Sequence, residues 1–223
     1  MEPFKDIYDR AAQRHGGAKA LEAGMAELKT AKQLKAIPDD RWLADFTKRI
    51  FQAGFSWKVI DNKWPGFEEA FEGFDPVHCA YLSDEDVDKL LQNEAIVRNA
   101  QKIVSVRANA QFLNELAKEH GSASAFIADW PMDDFIGLMT VLKKRGSRLG
   151  GNTGPYALRM MGKDSFIISK DVTAALIHAD VIDKNPTSQK ALRAVQDAFN
   201  AWHAECGKPY AHISRMLGMS IDA

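Results

Sequence analysis

The stretch Leu142 to Gly162, LKKRGSRLGGNTGPYALRMMG, sets Lys143, Lys144, Arg145 and Arg148 among glycines and then opens a second apolar segment. Upstream, Asp133 to Lys144 reads as one helix, with Phe135, Ile136, Leu138, Met139 and Leu142 on its apolar face; downstream, Pro155 to Met161 begins another. Three readings compete for the turn between them: a solvated loop, a nucleotide cradle, or a clamp on a nucleic-acid backbone. A Walker loop needs Lys and Ser or Thr directly after its second glycine, but Gly146 and Gly151 lead into Asn152 and Thr153. A dinucleotide site needs a strand before the glycines, and the preceding residues have helical spacing. In a backbone clamp, unpaired N–H groups at Gly151, Thr153 and Gly154 hold a phosphate without reading sequence, and Lys143, Lys144 and Arg148 add salt-sensitive attraction.

Composition narrows the field. The 223 residues are 46% hydrophobic, enough to bury a sizeable core. A net charge of -1 and a pI near 6.6 exclude a polybasic protein that coats nucleic acid, so DNA binding must come from a local patch. The opening stretch is such a patch: from Phe135 to Gly162 there are five basic residues and no Asp or Glu. Cys79 and Cys206 are too few and too far apart for a disulfide framework. No apolar run approaches the roughly 20 residues that span a bilayer, and no signal-peptide pattern opens the chain. A cytoplasmic protein without membrane contact is expected, and a monomer.

Helical periodicity extends along the chain, in Ile103, Val106, Ala110, Leu113 and Ala117 and again in Leu192, Val195, Phe199 and Trp202. Asp75 before Pro76 reads as an N-cap, and Ser83 with Asp86 as a capping box. Phe166, Ile167 and Ile168 are strand-like but too brief to demand a sheet. The expectation is an all-α fold, a single compact domain over 1–223 made of two packed lobes, with a helix-hairpin-helix element at 133–162.

Several ordered blocks resemble the 3-methyladenine DNA glycosylase I family. Lys143-Lys144-Arg145-Gly146 with Gly151, Thr153 and Tyr156 is similar to its hairpin region, and Gln52-Ala53-Gly54-Phe55-Ser56-Trp57 is similar to its QAGLSW segment. Phe74-Asp75-Pro76, Glu85-Asp86-Val87, Ile96-Val97-Arg98, Lys102-Ile103 and Asn109-Ala110 follow in the family's order. The resemblance implies a bilobal helix-hairpin-helix glycosylase that bends duplex DNA, flips an alkylated purine, typically 3-methyladenine, into an aromatic pocket and hydrolyses its N-glycosidic bond in base-excision repair. Such a base carries positive charge, so an aromatic wall favours it by cation–π attraction and replaces the stack lost on flipping. Trp57 matches the pocket tryptophan, with Phe55 beside it and Tyr156 just after the hairpin. Each of these aromatics could instead be packing, and for Trp42, Trp64 and Tyr8 packing is the more usual role.

Three departures sharpen the question. Arg49 stands where the resemblance leads to a pocket acid, three residues before Gln52, and a guanidinium does not replace a carboxylate. The family's structural zinc lacks most of its ligands: His203 and Cys206 are at best half of a four-ligand site, so no metal and no other cofactor is expected. His15, His178 and His212 read as surface or capping residues. Phe166 to Val172 resembles the extended segment that other helix-hairpin-helix glycosylases end in a catalytic Asp, which implies that Asp171 supports an oxocarbenium-like transition state. Asp171 also fits a plain N-cap of the helix that follows. The alternative to an enzyme is a catalytically silent, or altered-specificity, DNA-binding relative.

Overall fold

The structure is a computed structural model and describes residues 1–222. Every regular element in it is helical: α1 (Phe4–Arg14), α2 (Ala18–Glu22), α3 (Ala31–Lys35), α4 (Asp39–Gln52), α5 (Trp57–Ala70), α6 (Pro76–Ala80), α7 (Asp84–Gln92), α8 (Ala100–His120), α9 (Ala123–Asp129), α10 (Phe135–Arg145), α11 (Thr153–Met160), α12 (Lys170–His178), α13 (Gln189–Cys206) and α14 (Tyr210–Met219). Short 3-10 turns occupy Glu72–Phe74 and Met132–Asp134. The helix read as starting at Asp133 therefore begins two residues later, after a separate turn, and α11 starts at Thr153, ahead of Pro155.

The start signals behave as the sequence indicates. Asp75 caps α6, accepting from the Val77 and His78 amides with Pro76 in the first turn. Ser83 and Asp86 form a reciprocal capping box on α7. Asp171 is not a cap: Ser169 accepts from the Val172 amide, and Asp171 lies exposed in the first turn of α12. There a carboxylate favours the helix dipole without being consumed by the backbone.

The chain divides into two compact units. The first comprises residues 1–28, 131–137 and 164–223. Its centre is an aromatic stack: Phe166 lies 4.2 Å from Phe199 in near-parallel planes and 4.8 Å edge-on to Phe135. The segment Phe166 to Ile168 forms no strand; the Ile167 N–H donates to Ser214 Oγ of α14 at 3.0 Å, so a side chain satisfies the extended backbone.

The second unit comprises residues 29–130 and 138–163 and is organised around α4. Trp42, Leu43, Phe46, Ile50 and Phe51 are buried along that helix, which packs against α8 and α11. Phe51 meets Phe67 at 4.7 Å, and Trp64 stacks on both Phe67 and Phe74 at 5.4 Å. Trp42 is fully buried and Trp64 is half-buried against Phe67 and Phe74, so both pack within this unit. Tyr8, in the other unit, donates its hydroxyl to Glu22.

Candidate functional site

The segment around Trp57 follows from how α4 ends. After Gln52 the chain turns extended at Ala53, and Gly54 takes a φ of +76°, a conformation that L side chains rarely adopt. The turn lets α5 begin at Trp57 while the last carbonyls of α4 point at Lys102. Lys102 Nζ donates to Phe51 O at 3.1 Å and to Ala53 O at 2.7 Å, a buried cation closing a helix C-terminus. Burial, and then the charge of Arg148, lower the Lys102 pKa. Lys102 is thus a brace of the loop. Arg98 is exposed, 3.7 Å from Glu94.

The loop leaves Phe55 and Trp57 about half exposed, at 45% and 44%, where core aromatics of this unit are shut away. Trp57 meets Tyr156 of α11 edge to face at 6.0 Å with planes at 87°. The Arg49 guanidinium stands 5.5 Å from the Trp57 ring centre. Trp57, Tyr156 and Arg49 are therefore brought together, and Phe55 lies alongside, 5.1 Å from the Lys102 ammonium.

Arg49 is itself held. Its Nε and Nη2 donate to Asp45 Oδ1 at 3.3 and 3.2 Å, and its Nη1 donates to Gln52 Oε1 at 2.6 Å. Gln52 passes the network on weakly to Asp61 at 3.4 Å, which also pairs with Lys48 at 2.8 Å. Asp45 and Arg49 are one helical turn apart and expose only 13% and 10% of their side chains. Burial pushes the Asp45 carboxyl up to about 6, with the Arg49 charge and hydrogen bonds and the Lys48 charge pulling it back. Asp45 escaped the sequence reading. Its signal was the four-residue spacing to Arg49, which pairs the two on one helix face.

The hairpin is pinned from beneath by Asn109 of α8, which is fully buried, donates to Ser147 O at 3.0 Å and accepts from Ser147 N–H at 2.7 Å. Leu149 is buried as the anchor of the turn. Two of the three amides expected to point at phosphate are used internally: Thr153 N–H donates to Gly150 O at 3.3 Å and Gly154 N–H to Leu149 O at 3.2 Å. Gly154 is buried in that close approach, whereas Gly151 is exposed at the tip with φ +59°. The cations also divide. Arg145 pairs with Glu119 at 2.8 Å and Glu115 at 3.2 Å and covers Phe112, and Arg148 hydrogen-bonds Gln101. Lys143 and Lys144 are exposed, with no ion pair among the described residues.

His203 and Cys206, the counterparts of half the family's zinc ligands, are both engaged within the chain. His203 Nδ1 meets Lys208 O at 2.8 Å, Cys206 Sγ accepts from the Lys208 amide, and among the described residues no three His, Cys, Asp or Glu side chains cluster for an ion. His15 and His212 tie to the carbonyls of Met219 and Ala26. Among the described residues no helix is long and apolar enough to cross a membrane.

Comparison with known proteins points one way. A family model described as methyladenine glycosylase matches residues 38–141, which include α4, the Trp57 loop and α8. DNA-3-methyladenine glycosylase 1 of Escherichia coli (strain K12) is 38% identical over 86 residues, 34% of this chain and 46% of that protein. The chain thus spans about half the length of that relative. DNA-3-methyladenine glycosylase of Haemophilus influenzae (strain ATCC 51907 / DSM 11121 / KW20 / Rd) is 30% identical over 130 residues, 50% of this chain and 70% of that protein. Among solved structures, 3-methyladenine DNA glycosylase I from Staphylococcus aureus aligns with a TM-score of 0.51 at 25% identity, covering 56% of this chain and 77% of that one. With an all-helical fold, and with identity sustained over more than two thirds of the Haemophilus protein, the chain belongs to the 3-methyladenine DNA glycosylase I family.

Proposed function

We propose that this protein is a monofunctional DNA glycosylase that releases an alkylated purine, 3-methyladenine in the first instance, from duplex DNA. The observation that carries the reading is the half-exposed Trp57 ring set edge to face on half-buried Tyr156, two residues that match the family's pocket aromatics. The half-exposed Trp57 face would stack on the flipped base and restore part of the stacking lost from the duplex.

The chemistry asks little of the protein. An N3-alkylated purine is already cationic, so the C1′–N9 bond breaks with its electron pair moving to the base, which leaves neutral. The sugar becomes an oxocarbenium-like cation, and water adds to C1′. Asp171, exposed and not engaged as the cap of α12, is the carboxylate assigned to stabilise that cation and take the water's proton. Lys143 and Lys144, with the Gly151 amide at the hairpin tip, are the groups assigned to DNA phosphates. Thr153 and Gly154 support the hairpin from within, since their amides are engaged there, while exposed Arg148 is assigned with the lysines to phosphate.

The test is release of methylated purines from alkylated duplex DNA, followed by chromatography of the free bases. Release by the protein that collapses in Asp171→Asn supports this mechanism. Salt-sensitive DNA binding with no base released would mean a silent DNA-binding relative.

A further inference from the structure

Two buried polar side chains of α8 reach out of that helix to two different loops, all within the second unit. Lys102 Nζ donates to Phe51 O and, at 2.7 Å, to Ala53 O in the loop that presents Trp57. Asn109 clasps both backbone groups of Ser147 in the hairpin, at 3.0 and 2.7 Å. The third buried polar residue of α8, Ser105, only turns back to Lys102 O. Positions 102 and 109 are about two helical turns apart, so the two side chains share one face and stand about 10 Å from one another along the axis. Immediately after each clasp the chain bends through a left-handed residue: Gly54 at φ +76° follows Ala53, and Arg148 at φ +61° follows Ser147. For an arginine that conformation is costly and persists only where the surroundings hold it. A buried ammonium or carboxamide is also costly without its partner, so each side chain is satisfied with its loop in one position.

We propose that α8 is a spacer for DNA recognition: Lys102 and Asn109 are positioning residues that hold the Trp57 loop and the hairpin at one fixed separation, so that a duplex gripped at the hairpin meets Trp57 in register. The inference rests on the glycosylase reading, which gives the two loops a common substrate. It assigns Asn109 to recognition although the residue is fully buried beneath the hairpin and acts only through Ser147. The phosphate grip stays with Lys143, Lys144, Arg148 and the Gly151 amide. Loss of the spacer therefore loosens the register between the loops and leaves the grip in place.

Fluorescence anisotropy with two labelled duplexes, one intact and one carrying a central tetrahydrofuran abasic site, tests the spacer without requiring base release. The abasic duplex kinks easily and offers an unstacked site to the Trp57 loop while the hairpin holds phosphate. The protein is expected to bind it about thirtyfold more tightly than the intact duplex. Asn109→Ala and Lys102→Met are each expected to lower that ratio about fivefold, with affinity for the intact duplex and a cooperative thermal transition retained. Asn109→Ser, a milder cut that keeps a hydroxyl on the same face, replaces Asn109→Ala if the latter does not fold. The double variant is expected to discriminate no worse than the weaker single one, because either loss already frees the separation. The stability losses, by contrast, should add, as they do for distant residues that share no partner. A ratio unchanged in either single variant, or losses of discrimination that multiply in the double, would overturn the proposal, as would an unmodified protein that binds both duplexes alike. Base release from alkylated DNA separates the two ideas: a protein that discriminates through Lys102 and Asn109 but releases nothing loses the glycosylase reading alone.

Discussion

Lys102 Nζ lies 2.7 Å from Ala53 O, which puts a buried cation at the point where α4 gives way to the Trp57 loop. The ammonium takes up carbonyls that no intrahelical N–H can reach. Lys102→Met would keep the stem and strand those acceptors. Hydrogen bonds to a charged group contribute about 1.5–3 kcal/mol, so urea unfolding should show a loss of about 2 kcal/mol. An unchanged midpoint would show that Lys102 braces nothing.

Asp45 makes stability depend on pH. Its folded-state carboxyl is raised to about 6 from an ordinary 3.8, so the folded state holds the proton more tightly than the unfolded chain. The sign follows: this group favours the fold below about pH 4, and that contribution is lost as pH rises through about 6. Asp45→Asn, which cannot ionise, should therefore flatten the pH dependence of stability between about pH 4 and pH 7. Denaturant titrations of both proteins at the two pH values check it.

The patch cations should separate by task. Lys143→Ala with Lys144→Ala should weaken DNA binding and flatten the dependence of log K on log salt by about 0.9 for each phosphate that the two lysines neutralise. Arg145→Ala should leave that slope alone and lower stability by about 1 kcal/mol or less, because its charge is spent on Glu115 and Glu119 at a partly exposed pair. Fluorescence anisotropy across a salt series distinguishes the two.

Two hairpin glycines should fail differently. A Cβ at Gly154 would stand 2.7 Å from Leu149 O, a backbone atom that cannot swing away, so Gly154→Ala should cost about 1–3 kcal/mol. At Gly151 a Cβ meets nothing within 4 Å but the φ of +59° is strained for alanine, and about 1 kcal/mol is expected. Thermal unfolding of both variants checks the order.

Trp57→Ala should reduce base release about ten- to hundredfold, since aromatic stacking on one base is worth about 1–3 kcal/mol. With 44% of the residue already exposed, stability should change far less than for the buried Trp42→Ala. Single-turnover release alongside denaturant unfolding measures both.

Local chemistry makes much of this molecule legible along the chain. The apolar spacing of α8 and α13, the Asp75 cap, the Ser83–Asp86 box and the glycine turn after α10 depend on residues within a few positions of one another, and all are present. The block around Trp57 likewise announces an aromatic site. What the sequence alone determined was thus the helical elements, the hairpin and the family. What only the tertiary structure decided was how each charge is used. Arg145 looks as available as Lys143 and Lys144 in a linear patch, until α8 brings Glu115 and Glu119 to it. Trp42 and Trp57 are chemically alike, and only the packing of α4 buries one and leaves the other half open. Asp45 is an ordinary helix carboxylate in sequence. Burial is what raises its pKa, against the pull of Arg49 and Lys48, because desolvation is a property of surroundings assembled from distant parts of the chain.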